Sequence, residues 1–282
     1  MRSIRREMAW ALAALVWGCG LASSAWSQAS GDPPLSVEAP CPAPPEALVK
    51  RWTAVGEFPA YSADDLAAYQ RYVEVLKAND WAYLCRYADD NRTMAAGPRP
   101  RVVLIGDSIT EFWKTRDPDR FAAGVIDRGI GGQTSPQMLL RFQQDVIALR
   151  PRVVHIMAGT NDIAGNTGPT PDARFRDNIQ AMVTLAQAHG IKVILASIPP
   201  AKTFYWRPEA RPAQRIPEWN AWLRAYAREH GLTFVDYYTA LVGAEGGLRT
   251  EFGADVVHPS KAGYQAMDPL FDKALAEAEG RR

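Results

Sequence analysis

The sequence predicts an α/β fold, a doubly wound parallel sheet flanked by helices, with a helical N-terminal extension ahead of it. Three observations carry that prediction. From residue 101 onward, short apolar or β-branched runs alternate strictly with stretches of helical periodicity. The connections between them are short, as in the crossover units of a parallel sheet. The first run, which ends at Gly106, is continuously apolar, the pattern of a buried parallel strand.

The first 29 residues are set apart from the fold. Arg2, Arg5 and Arg6 precede an apolar run over 8–21 and then small residues, the order of a secretory signal peptide with cleavage after Ser27 or Ala29. The run is shorter than the roughly 20 apolar residues a transmembrane span needs. Val16-Trp17-Gly18-Cys19 loosely resembles a lipobox, so anchoring at Cys19 is the secondary alternative to a free periplasmic or secreted protein. Cleavage would leave Cys41 and Cys85 in an oxidising compartment, either as a disulfide or as two thiols.

Residues 30–100 read as a Pro-rich arm and a helical extension. Pro, Ser and Gly load 31–45, and a short helix is expected over 45–52. Ser62 can cap a longer helix in which Leu66, Tyr69, Tyr72, Val73 and Leu76 fall at helical spacing. Residues 81–87 continue in that style, and 91–100 read as a loop. The aromatic residues follow the helical stripe, so they are expected to be core rather than a ligand platform.

Residues 101–282 form the expected catalytic domain. Strands are predicted from 101 to Gly106 and over 125–130, 152–158, 191–198 and 232–237. Helices are predicted over 135–149, 171–189 and 215–230, and from Ser260 onward with a break near Pro269. In such sheets ligands bind beyond the carboxyl ends of the strands. That rule singles out Ser108, Gly131-Gly132, Gly159-Thr160-Asn161-Asp162 and the loop after Ile198.

Ser108 stands where the first strand gives way to a helix, either as a nucleophile whose oxyanion the helix-start N–H groups could hold or as a helix N-cap. Of four histidines, His189 and His230 each precede a Gly at a helix end and read as caps. His155 lies inside a strand and reads as a core residue. His258 remains, in Asp255-Val256-Val257-His258-Pro259, where Asp255 can orient one ring nitrogen while the other faces the crevice. Asp107 and Asp162 read as residues that tie loops together. With a net charge of +1 and no basic stripe, the chain has no nucleic-acid footprint. No cluster has metal-ligand spacing, so neither metal nor cofactor is expected.

Gly106-Asp107-Ser108-Ile109, Gly129-Ile130-Gly131-Gly132, Gly159-Thr160-Asn161-Asp162 and Asp255-Val256-Val257-His258-Pro259, in that order, resemble the blocks of the SGNH, or GDSL, esterase and lipase superfamily. The resemblance covers about residues 100 to 277. It implies the flavodoxin-like SGNH-hydrolase fold, with Ser108 as nucleophile, His258 as base and Asp255 as its orienter. It also implies an oxyanion hole of the Ser108 N–H, the Gly132 N–H and the Asn161 side-chain amide. Ile109, Gln133 and Val256 depart from the common Leu, Asp and Gly, which leaves the shape of the oxyanion loop open. An ordinary α/β-hydrolase elbow wants Gly where Thr110 stands.

The long aromatic loop over 199–208 carries Tyr205 and Trp206, and these, with Trp113 and Ile163, are the expected substrate-binding residues. Export and the absence of a long apolar lid favour short-acyl esters, O-acetyl esters of carbohydrates or similar small esters. A lysophospholipase or thioesterase on longer chains is the alternative, and a non-catalytic carbohydrate-binding protein a third.

Overall fold

The inner strands take their places because they are largely apolar on both faces. In the computed structural model, which describes residues 41–53 and 62–280, five parallel strands lie in the order β2-β1-β3-β4-β5. They are β1 (Val102–Gly106), β2 (Val125–Gly129), β3 (Val153–Met157), β4 (Lys192–Ala196) and β5 (Thr233–Val235). Val102, Val103, Leu104 and Ile105 of β1, an inner strand, are wholly enclosed. The chain steps from β1 to β2 on one side and then returns to β3 on the other. That reversal opens a crevice beyond the carboxyl ends of β1 and β3, the usual ligand position of such sheets.

Ten α-helices surround the sheet among the described residues. The extension supplies α1 (Glu46–Thr53), α2 (Ala63–Asn79) and α3 (Ala88–Ala95). The rest are α4 (Ser108–Arg116), α5 (Ser135–Phe142), α6 (Thr160–Ala164), α7 (Asp172–Ala188), α8 (Pro212–Glu229), α9 (Tyr237–Leu241) and α10 (Lys261–Ala278). No helix among the described residues is long and apolar enough to cross a membrane. The expected signal peptide, its cleavage sites, Cys19 and the arm up to residue 40 lie outside the described residues.

The extension covers the β2 edge, and this explains two charged residues inside that strand. Arg128 is 2% exposed; it donates to Asp90 Oδ2 at 2.7 Å and to Asn91 Oδ1 at 2.9 Å. Asn91 in turn donates to Asp145 Oδ1, and the Tyr87 hydroxyl donates to the Gly129 carbonyl. A helix laid over an open edge in this way blocks pairing with another chain. Ser62 caps α2 in a capping box with Asp65, and Cys41 is bridged to Cys85.

Four stretches differ from expectation. Residues 91–95 continue α3, because Asn91 is anchored by Arg128 and Asp145 rather than left in solvent. Residues 81–87 form a turn and one 3-10 turn (Leu84–Tyr87), since the Asp80 carboxylate accepts the Leu84 and Cys85 N–H groups. Past Phe142 the helix widens into a π turn, Gln143–Ile147. Pro269 does not break α10: it removes one N–H, while Met267, Phe271, Ala274 and Leu275 bury the helix face on both sides of it.

Candidate active site

The turn after β1 is tight because two glycines let α4 close on the sheet. A Cβ on Gly106 would collide with the Thr110 side chain, and one on Gly129 with the Glu111 backbone. Asp107 is the N-cap of α4; its Oδ1 accepts the Ile109 N–H at 2.9 Å. Ser108 is therefore the first residue inside the helix rather than its cap. Its own N–H has no acceptor within the helix.

Ser108 Oγ lies 2.9 Å from His258 Nε2, and His258 Nδ1 lies 2.8 Å from Asp255 Oδ2. The second carboxylate oxygen of Asp255 accepts the Val257 and His258 N–H groups, both at 2.8 Å, which folds 255–258 into a rigid turn. Arg116 anchors the far side by donating to the Pro259 carbonyl at 2.8 Å. Phe112, one helical turn beyond Ser108, packs its ring 5.0 Å from the imidazole centroid. Burial works to raise the Asp255 pKa, but the His258 hydrogen bond and charge and the two N–H groups outweigh it and hold the carboxyl below its ordinary value. A carboxylate held ionised beside Nδ1 fixes the tautomer that leaves Nε2 able to accept a proton.

The two further candidate oxyanion donors come from the turn after β2, Gly132, and from α6, Asn161. Gly132 has φ +79°, a left-handed conformation that suits glycine. The Glu111 carboxylate holds the loop by accepting the Gly131 N–H at 3.0 Å, and burial lifts Glu111 to about 7. Asn161 Nδ2 donates to the Gln133 carbonyl at 3.0 Å and to Asp107 Oδ2 at 3.2 Å. It can serve a substrate oxyanion only by redirecting one of these hydrogens. Asp107, raised to about 6 by burial, so links two loops, and Asp162, likewise raised to about 6, accepts the Ser135 N–H and hydroxyl. His155 is wholly buried, bonded to the Tyr237 hydroxyl at 3.0 Å, and lowered by burial to about 3.

The four expected substrate-binding residues divide. Trp113 belongs to the core: it is wholly enclosed, stacks on Tyr264, and donates from Nε1 to Asp268. Five residues past Ser108 is about 140° round the helix, so this side chain faces α10 and not the crevice. Ile163 is also a core residue, 3% exposed. Tyr205 and Trp206 are 72% and 50% exposed, and Trp206 Nε1 donates to Asn166 Oδ1 at 2.9 Å. Asn166 in turn donates to Asn161 Oδ1 at 2.7 Å, which ties the aromatic loop to the oxyanion side. Glu111 and Phe112 escaped the sequence reading, although helical spacing of three and four from Ser108 places both beside it.

A family model for the GDSL-like Lipase/Acylhydrolase family matches residues 104–266. The chain is 30% identical over 183 residues to the uncharacterised lipoprotein YqeF of Bacillus subtilis (strain 168), covering 53% of this chain and 75% of that protein. It is 26% identical over 214 residues to an acetylxylan esterase of Geobacillus stearothermophilus, covering 63% and 94%. Among solved structures, a GDSL-like lipase from Bacteroides thetaiotaomicron VPI-5482 superposes with a TM-score of 0.66 at 44% identity, over 71% of this chain and all of that one.

Proposed function

The chain belongs to the GDSL-like lipase/acylhydrolase family and is an ester hydrolase, and from that premise we propose that it works through a Ser108–His258–Asp255 triad. The observation that carries this reading is the unbroken hydrogen-bond chain from Ser108 Oγ through the imidazole to Asp255, at 2.9 and 2.8 Å. Ser108 Oγ attacks the ester carbonyl as His258 Nε2 takes its proton. The oxyanion is held by the N–H groups of Ser108 and Gly132 and by Asn161 Nδ2, which turns away from Gln133 or Asp107 to meet it. His258 then returns the proton to the departing alcohol. In the second half it activates a water that cleaves the acyl-serine.

The substrates placed first are short-acyl esters of carbohydrates or similar small esters. The likeness to an acetylxylan esterase supports this choice, and the exposed Tyr205 and Trp206 rings beside Asn166 offer faces on which a sugar can stack. Longer acyl chains are the second reading, supported by an apolar cavity beside Gly131 and Gly132. Residues 1–29 act as an export signal, and the likeness to a lipoprotein supports a site of action outside the cytoplasm.

Hydrolysis of p-nitrophenyl acetate by the mature protein and by Ser108→Ala tests the mechanism. Loss of the nucleophile lowers kcat by about 10⁴-fold or more. Equal rates in the two proteins would sink it.

A further inference from the structure

The family match begins at residue 104, yet an apolar recess beside the Gly131-Gly132 turn is walled by the extension that precedes it. This cavity of about 290 Å³ has one wall of Tyr69, Tyr72, Leu76, Trp81 and Tyr83, and an opposite wall that includes Ile130, Gly131 and Gly132. Gly131 places it next to the reaction centre, since a Cβ there would stand 3.7 Å from Ser108 Cβ. Tyr72 is buried as a core residue, but Trp81 is 38% exposed and Tyr69 and Tyr83 are only half-buried, so the stripe that reads as core also lines a recess.

We propose that the N-terminal extension completes the acyl-binding subsite, and that this cavity takes the apolar tail of an acyl group longer than acetyl. The proposal rests on the triad reading above. Three observations point to it.

The first is position. The departing alcohol must lie toward His258, which protonates it, so the acyl substituent points elsewhere. Neither His258, Asp255 nor Phe112 lines the cavity, whereas the Gly131-Gly132 turn does.

The second is chemistry. A sugar needs polar groups able to turn to its hydroxyls, and the polar side chains here are already engaged within the protein. Glu111 holds the Gly131 N–H, Gln133 donates to the Ala82 carbonyl at 2.7 Å, and Gln137 donates to the Trp81 carbonyl at 2.7 Å. Asn166 donates to Asn161, Thr167 pairs with the Thr134 hydroxyl at 2.8 Å, and Lys77 pairs with Glu74. What remains toward the space is ring faces and aliphatic carbons, which favour an alkyl tail.

The third is coupling. Gln133, which departs from the common Asp, directly follows Gly132, and its side chain joins Arg141 to the extension's Ala82 carbonyl. One of the residues that depart from the family pattern thus helps to seat the extension against the Gly131-Gly132 turn.

The test is kcat/KM on p-nitrophenyl acetate, butyrate, hexanoate, octanoate and dodecanoate for the wild type, Leu76→Trp and Trp81→Ala. Active sites are counted with a small alkyl phosphonate, so only folded enzyme enters each rate. Each buried methylene is worth about fourfold in kcat/KM, so the wild type rises from acetate to an optimum between butyrate and octanoate. Leu76→Trp fills the cavity and Trp81→Ala removes a wall; each lowers the octanoate-to-acetate ratio at least about tenfold. A wild-type optimum at acetate, or ratios unchanged in both variants, would overturn the proposal. So would variants that alter a series of acetates with lengthening alcohols instead. Activity surviving in Ser108→Ala would refute the triad itself, a separate failure.

Discussion

At the scale of single residues, part of the site is built from side chains whose partners are local in sequence. Asp255 reaches His258 across three residues, and Glu111 and Phe112 stand one helical turn from Ser108. That locality makes the Asp255–His258 pair legible in the sequence, whereas Ser108, 150 residues from His258, is joined to it only through the strand-end loops and the resemblance of the motif blocks. Trp113 and Ile163 were misread because a residue type says nothing of which way it faces; both sit in the core. Glu111 carries a prediction of its own. Burial raises its pKa from 4.5 to about 7, against the pull of Arg86. Between those values the unfolded chain releases a proton that the fold retains, so its contribution to stability falls as pH rises and is fully lost above about 7. Thermal midpoints from about pH 5 to 8 should fall less steeply in Glu111→Gln than in the wild type. Identical slopes would show that the carboxyl is not held protonated.

At the scale of elements, the strands were readable because they are short, mostly apolar runs alternating with helical stretches, and their order reverses at β1. Element ends were less readable where tertiary partners decide them. Asn91 is helical because Arg128 and Asp145 hold it, and Pro269 is tolerated because α10 is packed along its length. Gly129 shows how closely elements approach. Its missing side chain lets the first turn of α4 lie against the end of β2, with the Glu111 backbone where a Cβ would go. Gly129→Ala should cost about 1–3 kcal/mol or more, as overpacking does, read as a lower denaturant midpoint. An unchanged midpoint would mean that α4 can back away from the sheet at no cost.

At the scale of the whole molecule, the extension was legible as helices but not as part of a site. Its stripe of aromatic residues is what a buried helix face looks like, and Tyr72 and Tyr87 fit that reading. Only the folded chain brings Tyr69 and Trp81 opposite Gly131 and Gly132, residues distant in sequence. The disulfide between Cys41 and Cys85 closes the extension on itself, and Gln133, Gln137 and Gln144 bind the carbonyls of Ala82, Trp81 and Leu84. The hydrolase sheet and the segment before it thereby meet at one crevice.

The most direct measurement of the central claim is labelling of the mature protein with a fluorophosphonate, followed by peptide mapping, beside the His258→Gln variant. Covalent phosphonate on Ser108, formed rapidly in the wild type and slowed by orders of magnitude in the variant, is the predicted result, because the serine reacts only when His258 can take its proton. A Ser108 that stays unmodified, or that reacts equally fast without His258, would contradict the account.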